Sequence, residues 1–195
     1  MNAPEATPIR QSRTGKRPIE LPKGVTVTLT ADTVTVKGPK GESKRPLPGG
    51  CTIVVEGSKV NVSPALPGRD GSRMQGLSRA LIACMVKGVS EGYTRGLQLV
   101  GTGYRAEVKG TKLVLNVGYS HQIHFDIPAG LKIDIPADSK GTAINLSCHD
   151  KEVIGQAAAK IRGYREPEPY GGKGIRYLGE KVREKAGKSS GKGGK

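Results

Sequence analysis

Tryptophan is absent and phenylalanine occurs only once, so any core in this chain must be built from aliphatic side chains. No apolar run approaches the roughly 18 residues of a membrane-spanning helix, and the N-terminus lacks the apolar centre of a secretory signal. Cysteines are few: Cys51, Cys84 and Cys148 are odd in number, scattered and without CxxC spacing. That excludes a disulfide framework and a zinc ribbon. Acidic residues are scarce as well, 17 against 32 Lys and Arg, which leaves a formal charge of +15 and a pI near 9.9. Such an excess demands an anionic partner, nucleic acid first and an anionic membrane second. The membrane alternative needs a basic amphipathic helix with large apolar residues, or a lipidation signal, and neither is present. A soluble, cytoplasmic protein is expected.

Motifs that would carry catalysis fail on context. Gly101-Thr-Gly103-Tyr-Arg-Ala106 spells a dinucleotide-binding fingerprint, but that motif needs a helix directly afterwards to hold the pyrophosphate. Tyr104 to Val108 instead alternates as a strand. Gly187-Lys188-Ser189 ends like a phosphate-binding loop, yet Val182 stands at the first glycine position and no strand precedes it. His121 and His124 are expected on opposite faces of a strand, with no third ligand at usable spacing. Cys148-His149-Asp150 places a nucleophile beside a base, but adjacent side chains rarely point together, and a Cys closing a strand is ordinary packing. No carboxylate pair has a context for acid–base chemistry. The sequence thus offers no active site, no metal or other cofactor and no small-molecule substrate.

The hydrophobic pattern repeats. Residues Met1 to Gln11 are polar and without period, and are expected to be disordered. From Pro18, Ile19 and Leu21 lead into Val25, Val27 and Leu29, where alternation marks a half-buried strand. Ala31-Asp32 is expected to turn, Val34 and Val36 resume the alternation, and Gly38-Pro-Lys-Gly41 has the composition of a hairpin loop. Short strands are expected at Cys51–Glu56 and Lys59–Ser63. Ser72 and Gln75 are spaced as a capping box, ahead of a helix with Met74, Leu77, Leu81 and Met85 on its apolar face and an end near Gly88. Strand signals return at Leu97–Val100, Tyr104–Val108, Leu113–Val117, Ile123–Ile127, Ile133–Ile135 and Ala143–Ser147. Asp150 then caps a helix bearing Val153, Ile154, Ala157, Ala158 and Ile161. A shift of 80 superposes Gly38 on Gly118, Leu47 on Ile127, Pro48 on Pro128, Gly50 on Gly130 and Ile53 on Ile133. Val60-Asn-Val-Ser63 resembles Ile144-Asn-Leu-Ser147, and Gly76 answers Gly155. The expected architecture is therefore α+β: two tandem homologous domains, each an antiparallel sheet packed under one helix, with disordered basic termini. The boundaries read as an extension over 1–11, domains over 12–89 and 90–178, and a basic tail over 179–195.

The second half ends in a segment of unusual composition, Lys160 to Tyr177. Pro167 and Pro169 stop the preceding helix and stiffen the chain. Gly171, Gly172 and Gly174 free it to approach a crowded surface. Lys160, Arg162, Arg165, Lys173 and Arg176 supply charge, Tyr170 and Tyr177 supply rings, and Lys181 and Arg183 follow in a piece that could extend as a short helix. From Lys160 onward eleven Lys or Arg face four Glu, a balance of +7. A solvated loop with incidental charge is the plain alternative. Fixed cations, rigid rings and open backbone together fit nucleic acid better, so RNA binding is expected in the second half and mainly not in the first.

Pro167-Glu-Pro-Tyr-Gly-Gly-Lys-Gly-Ile-Arg-Tyr177 resembles the signature of the bacterial large-subunit ribosomal protein six family. The resemblance extends to Gly15-Lys-Arg-Pro18, to Leu97-Gln-Leu-Val-Gly-Thr-Gly-Tyr-Arg105 and to Val153-Ile-Gly-Gln156, and covers Ser12 to Lys185. It implies two duplicated α+β domains and a non-enzymatic role. It also implies that the second domain and its tail hold large-subunit ribosomal RNA near the sarcin–ricin region. Neighbouring large-subunit proteins would then lie near the stalk base, with translation factors docking close by. RNA contact is accordingly assigned to Lys160, Arg162, Arg165, Tyr170, Gly172, Lys173, Gly174, Arg176, Tyr177, Lys181 and Arg183. Gly171 departs from the family, which usually carries Lys there, and one phosphate contact fewer is expected. A free RNA-binding module such as an RNA chaperone, or an enzyme using the Gly101–Gly103 loop, are the other classes considered.

Overall fold

The computed structural model describes residues 10–30 and 33–188. The turn expected at Ala31-Asp32, most of the N-terminal extension and the end of the basic tail lie outside the described residues. The described residues form two compact units, one from residues up to 92 with 149–151, the other from 93–148 with the residues from 152 on.

In the first unit, β1 (Ile19–Glu20) pairs with β6 (Lys59–Pro64), which pairs with β5 (Cys51–Glu56). β2 (Thr26–Thr30), β3 (Thr33–Gly38) and β4 (Gly41–Pro46) form a separate meander. Gly38 and Gly41 face each other across the expected hairpin. β4 was not legible as a strand because Glu42, Lys44 and Arg45 break the apolar alternation; it is held by its ladder to β3. Helix α1 (Gly68–Ser90) packs on β3, β4, β5 and β6. Its buried side chains join Ile19, Val25, Val34, Val36, Val60 and Val62 in an aliphatic core.

The capping box is not formed. α1 starts four residues before Ser72, after Pro67, and no side chain caps it. The buried face is also rotated from the expected one: Gln75, Ser78, Ile82, Met85, Val86 and Val89 turn inward, whereas Leu77 is 48% exposed. Two polar residues, Gln75 and Ser78, lie on that buried face, which therefore does not follow the apolar spacing.

The second unit repeats this plan. β8 (Arg105–Lys109), β9 (Lys112–Asn116) and β10 (Ile123–Asp126) form a meander like β2-β3-β4. β7 (Tyr93–Val100), β12 (Ala143–Cys148) and β11 (Lys132–Asp134) pair in the order of β1-β6-β5. Helix α2 (Lys151–Gly163) contributes Ile154, Ala157, Ala158 and Ile161 to the core. Each unit thus carries two sheets rather than one. The ladder breaks at the matched Pro48 and Pro128, which lack an N–H, and at Gly50 and Gly130, which both take positive φ. Gly101 and Gly103 lead through a turn into β8, not a helix. A Cβ at Gly101 or Gly118 would lie 3.0 Å from the Tyr104 ring, so these glycines seat that tyrosine.

Among the described residues, one strand of the second unit has no counterpart in the first. β13 (Gly174–Tyr177) adds a fourth strand, antiparallel to β7 on the side away from β12.

Candidate nucleic-acid interface

β13 arises where the sequence promised only a loop. Its four residues contain one aliphatic side chain, Ile175, and two glycines precede it. Ile175 is fully buried in the core of the second unit, a burial worth about 1.5–3 kcal/mol. Its N–H donates to Arg165 O at 2.8 Å, and Gly174, Ile175, Arg176 and Tyr177 register with Val100, Leu99, Gln98 and Leu97. The strand is therefore fixed both to the end of α2 and to β7.

The preceding turn is closed on itself. Glu168 N–H donates to Lys173 O at 2.8 Å and Gly172 N–H to Glu168 O at 3.0 Å, with Gly172 at φ +66°. Gly174 is buried at φ +141°, where a Cβ would stand 2.6 Å from Glu166 O and 2.7 Å from Pro167 Cα. Gly174 thus makes a close approach to its own chain at Glu166 and Pro167. Gly171 is exposed, outside the left-handed region, with nothing within 4 Å of a Cβ.

The expected site residues divide into two groups. Arg162 and Arg176 are held internally: Arg162 chelates Glu180, with Nη2–Oε1 at 2.8 Å and Nε–Oε2 at 3.3 Å. Arg176 donates Nε and Nη2 to Gln98 Oε1 at 3.3 and 3.2 Å. The half-buried Tyr177 ring lies beneath the guanidinium groups of Arg95 and Arg162, each 5.8 Å from its centroid. The Glu180 hydrogen bond raises the Arg162 pKa; the same bond, followed by the Tyr177 N–H, lowers that of Glu180. The second group points outward. Lys160, Arg165, Lys173, Lys181 and Arg183 are exposed, and the Tyr170 side chain is 60% exposed. No helix forms over 181–187; the chain there is irregular, pinned where Lys185 N–H donates to Pro169 O at 2.8 Å.

Two residues were missed by sequence reasoning. Tyr119 and His121 stack with ring centroids 5.8 Å apart and an interplanar angle of 19°, and the Arg165 guanidinium sits 5.0 Å from the Tyr119 centroid. His121 precedes β10 rather than lying in it. The Tyr119 hydroxyl donates to Tyr164 O at 3.2 Å, and hydrogen bonding to Tyr119, then the nearby Tyr104, raises the Arg165 pKa. Tyr119, Tyr164 and Arg165 border, with Glu166, Glu168 and Lys173, an open groove of about 610 Å³. The signal available in sequence is Tyr119 two positions before His121 in a polar turn. Among the described residues no three His, Cys, Asp or Glu gather as a metal site, and no helix is long and apolar enough to cross a membrane.

Comparison with known proteins agrees with two repeated segments in one chain. The family model described as ribosomal protein L6 matches residues 21–92 and again 100–178, one segment in each unit. The chain is 50% identical over 184 residues to the large ribosomal subunit protein uL6 of Nostoc sp., covering 94% of this chain and 99% of that one. The uL6 of Moorella thermoacetica gives the same identity and coverage. That of Listeria welshimeri is 50% identical over 178 residues, 91% of this chain and 98% of its own. Matched twice by one family model and aligned almost end to end with these relatives, the chain belongs to the ribosomal protein L6 family, whose members are structural parts of the large ribosomal subunit and not enzymes.

Proposed function

We propose that this protein binds large-subunit (23S) ribosomal RNA near the sarcin–ricin region, at the base of the factor-binding stalk, and stabilises the RNA fold there for translation. Neighbouring large-subunit proteins adjoin it and translation factors dock nearby, on the cytoplasmic ribosome. The observation that carries the reading is β13. Among the described residues it is the one strand that the second unit has beyond the shared plan, and its buried Ile175 fixes a rim of exposed cations and rings. Rigid presentation lowers the ordering cost of binding. Lys160, Arg165, Lys173, Lys181 and Arg183 meet phosphates, Tyr170 and Gly172 line the contact, and Tyr119 and His121 offer faces for an unstacked base. Arg162, Gly174, Arg176 and Tyr177 hold the rim in place, with Arg176 and Tyr177 half-exposed at its edge.

Hydroxyl-radical footprinting of the full chain on deproteinised large-subunit RNA tests this. Protection centred on the sarcin–ricin stem, weakened by joint Lys173→Ala and Tyr170→Ala substitution, is expected. Protection elsewhere, unchanged by that pair, would overturn the location.

A further inference from the structure

The first unit carries a second basic surface, and it is built differently from the rim around β13. Residues 12–17 form a compact strap: Lys16 N–H donates to Ser12 O at 3.1 Å and Arg17 N–H to Thr14 O at 3.2 Å. The strap is pinned to α1 by Gln75, only 2% exposed. Gln75 Oε1 accepts from the Ser12 N–H at 2.7 Å, while its Nε2 donates to Val62 O at 2.8 Å. Burial of an amide is tolerated only when its groups are bonded in this way. Gly15 permits the approach, since a Cβ there would fall 2.5 Å from Gln75 Cδ; a Cβ on Gly76 would stand 3.0 Å from Ser12 Oγ. Arg79 Nε closes the far end on Arg17 O at 3.3 Å, and Ile19 anchors the following residues in the core.

The backbone of residues 12–17 is thus fixed, with Arg13, Lys16 and Arg17 exposed on it and Arg10 exposed just ahead of it. None of the four is ion-paired among the described residues. Four like charges within eight residues repel one another, and fixing them on a rigid strap gains nothing for the fold. It does suit a partner that presents closely spaced negative charge. From Arg10 to Pro18 the only hydrocarbon surface is that of side-chain stems and one proline, so the strap lacks the apolar anchors on which protein interfaces depend. Backbone phosphates need none.

We infer that the strap of residues 12–17, with Arg10 just ahead of it, is a second RNA-binding surface, gripping the phosphate backbone of large-subunit RNA independently of the β13 rim. This extends the RNA-binding reading above and rests on it. It also replaces the expectation that the first half mainly does not bind RNA.

The full chain and its Arg13→Gln, Lys16→Gln, Arg17→Gln triple variant are titrated against deproteinised large-subunit RNA across a salt series. All three positions are exposed, so circular dichroism and melting should be unchanged. A weaker affinity is expected, with a log–log salt slope shallower by about 2.1–2.7, as three lost contacts of roughly 0.7–0.9 each require. The Tyr170→Ala, Lys173→Ala pair measured alongside should weaken binding separately, and the two effects should add. Equal affinity and slope for the triple variant would overturn the inference while leaving the β13 reading intact. Unchanged RNA binding, with loss of retention only on particles carrying other ribosomal proteins, would overturn it in favour of an acidic protein partner. Failure of the unsubstituted chain to bind RNA at all would remove both readings.

Discussion

Arg162 of α2 and Glu180, just beyond β13, engage through two parallel hydrogen bonds, and Glu180 Oε2 also accepts the Tyr177 N–H at 2.8 Å. The pair ties both ends of the basic segment together. Its side chains are 27% and 24% exposed, so its strength lies above that of an ordinary surface pair and below that of a buried one. Glu180→Gln keeps part of the hydrogen bonding and removes the charge, and should cost about 1 kcal/mol. The pH dependence follows from the lowered pKa of Glu180. Its contribution is fully present above the usual carboxylate range and is lost as pH falls through the depressed folded value. Thermal unfolding of both proteins from neutral to acid pH should show the difference between them shrinking on the acid side. A constant difference at every pH would mean that the charge contributes nothing.

Gly174→Ala should destabilise the second unit by about 1–3 kcal/mol, because φ +141° is costly for any side chain. The added Cβ would also press on Glu166 O and Pro167 Cα. Gly171→Ala, in open space, should be neutral. Denaturant unfolding compares the two. A Gly174→Ala protein of unchanged stability but weaker RNA affinity would instead point to a direct RNA contact at this glycine.

Tyr119→Leu should weaken RNA binding without altering the salt slope, since a stacking face carries no charge. The loss expected for one base is about 1–3 kcal/mol. Tyr119→Phe, which keeps the ring and loses the bond to Tyr164 O, should retain most of the affinity. Titrations at several salt concentrations read both quantities; a shallower slope for Tyr119→Leu would mean that Arg165 had been displaced instead.

The duplicated plan was legible because alternation, Pro48 and Pro128, and Gly50 and Gly130 report local backbone needs that recur at one offset. Elements whose reasons are tertiary were not legible. Gln75 looked like a capping residue by its spacing from Ser72, yet it is buried to hold Ser12, 63 positions away. β4 lacks apolar alternation and exists through its ladder to β3. β13 contains glycine and arginine, but one isoleucine and a free edge on β7 suffice to make it a strand. At the candidate site the residue types were readable from composition, and their division into presenting and holding groups was not. Arg162 and Lys160 look alike in sequence, and only the position of Glu180 separates them.

The departure at Gly171 gives the sharpest test of the β13 rim. Gly171 is exposed, lies outside the left-handed region and has nothing within 4 Å of a Cβ. A side chain there meets neither strain nor a neighbour. Gly171→Lys should therefore keep the turn closed by Glu168 and Lys173 and place one more cation beside it. Binding should tighten by about 1 kcal/mol or less, and the salt slope should steepen by roughly 0.7–0.9. Arg176→Ala should cost more than that gain. It deletes a guanidinium that both reaches the rim and, through Gln98, braces β13 on β7. Both variants are titrated against one large-subunit RNA fragment over the same salt series. Tighter binding with a steeper slope for Gly171→Lys places phosphate within reach of this turn. Weaker binding at every salt concentration with an unchanged slope would mean that RNA packs directly against the bare glycine backbone, and the added side chain would then be excluded by the partner rather than by the fold.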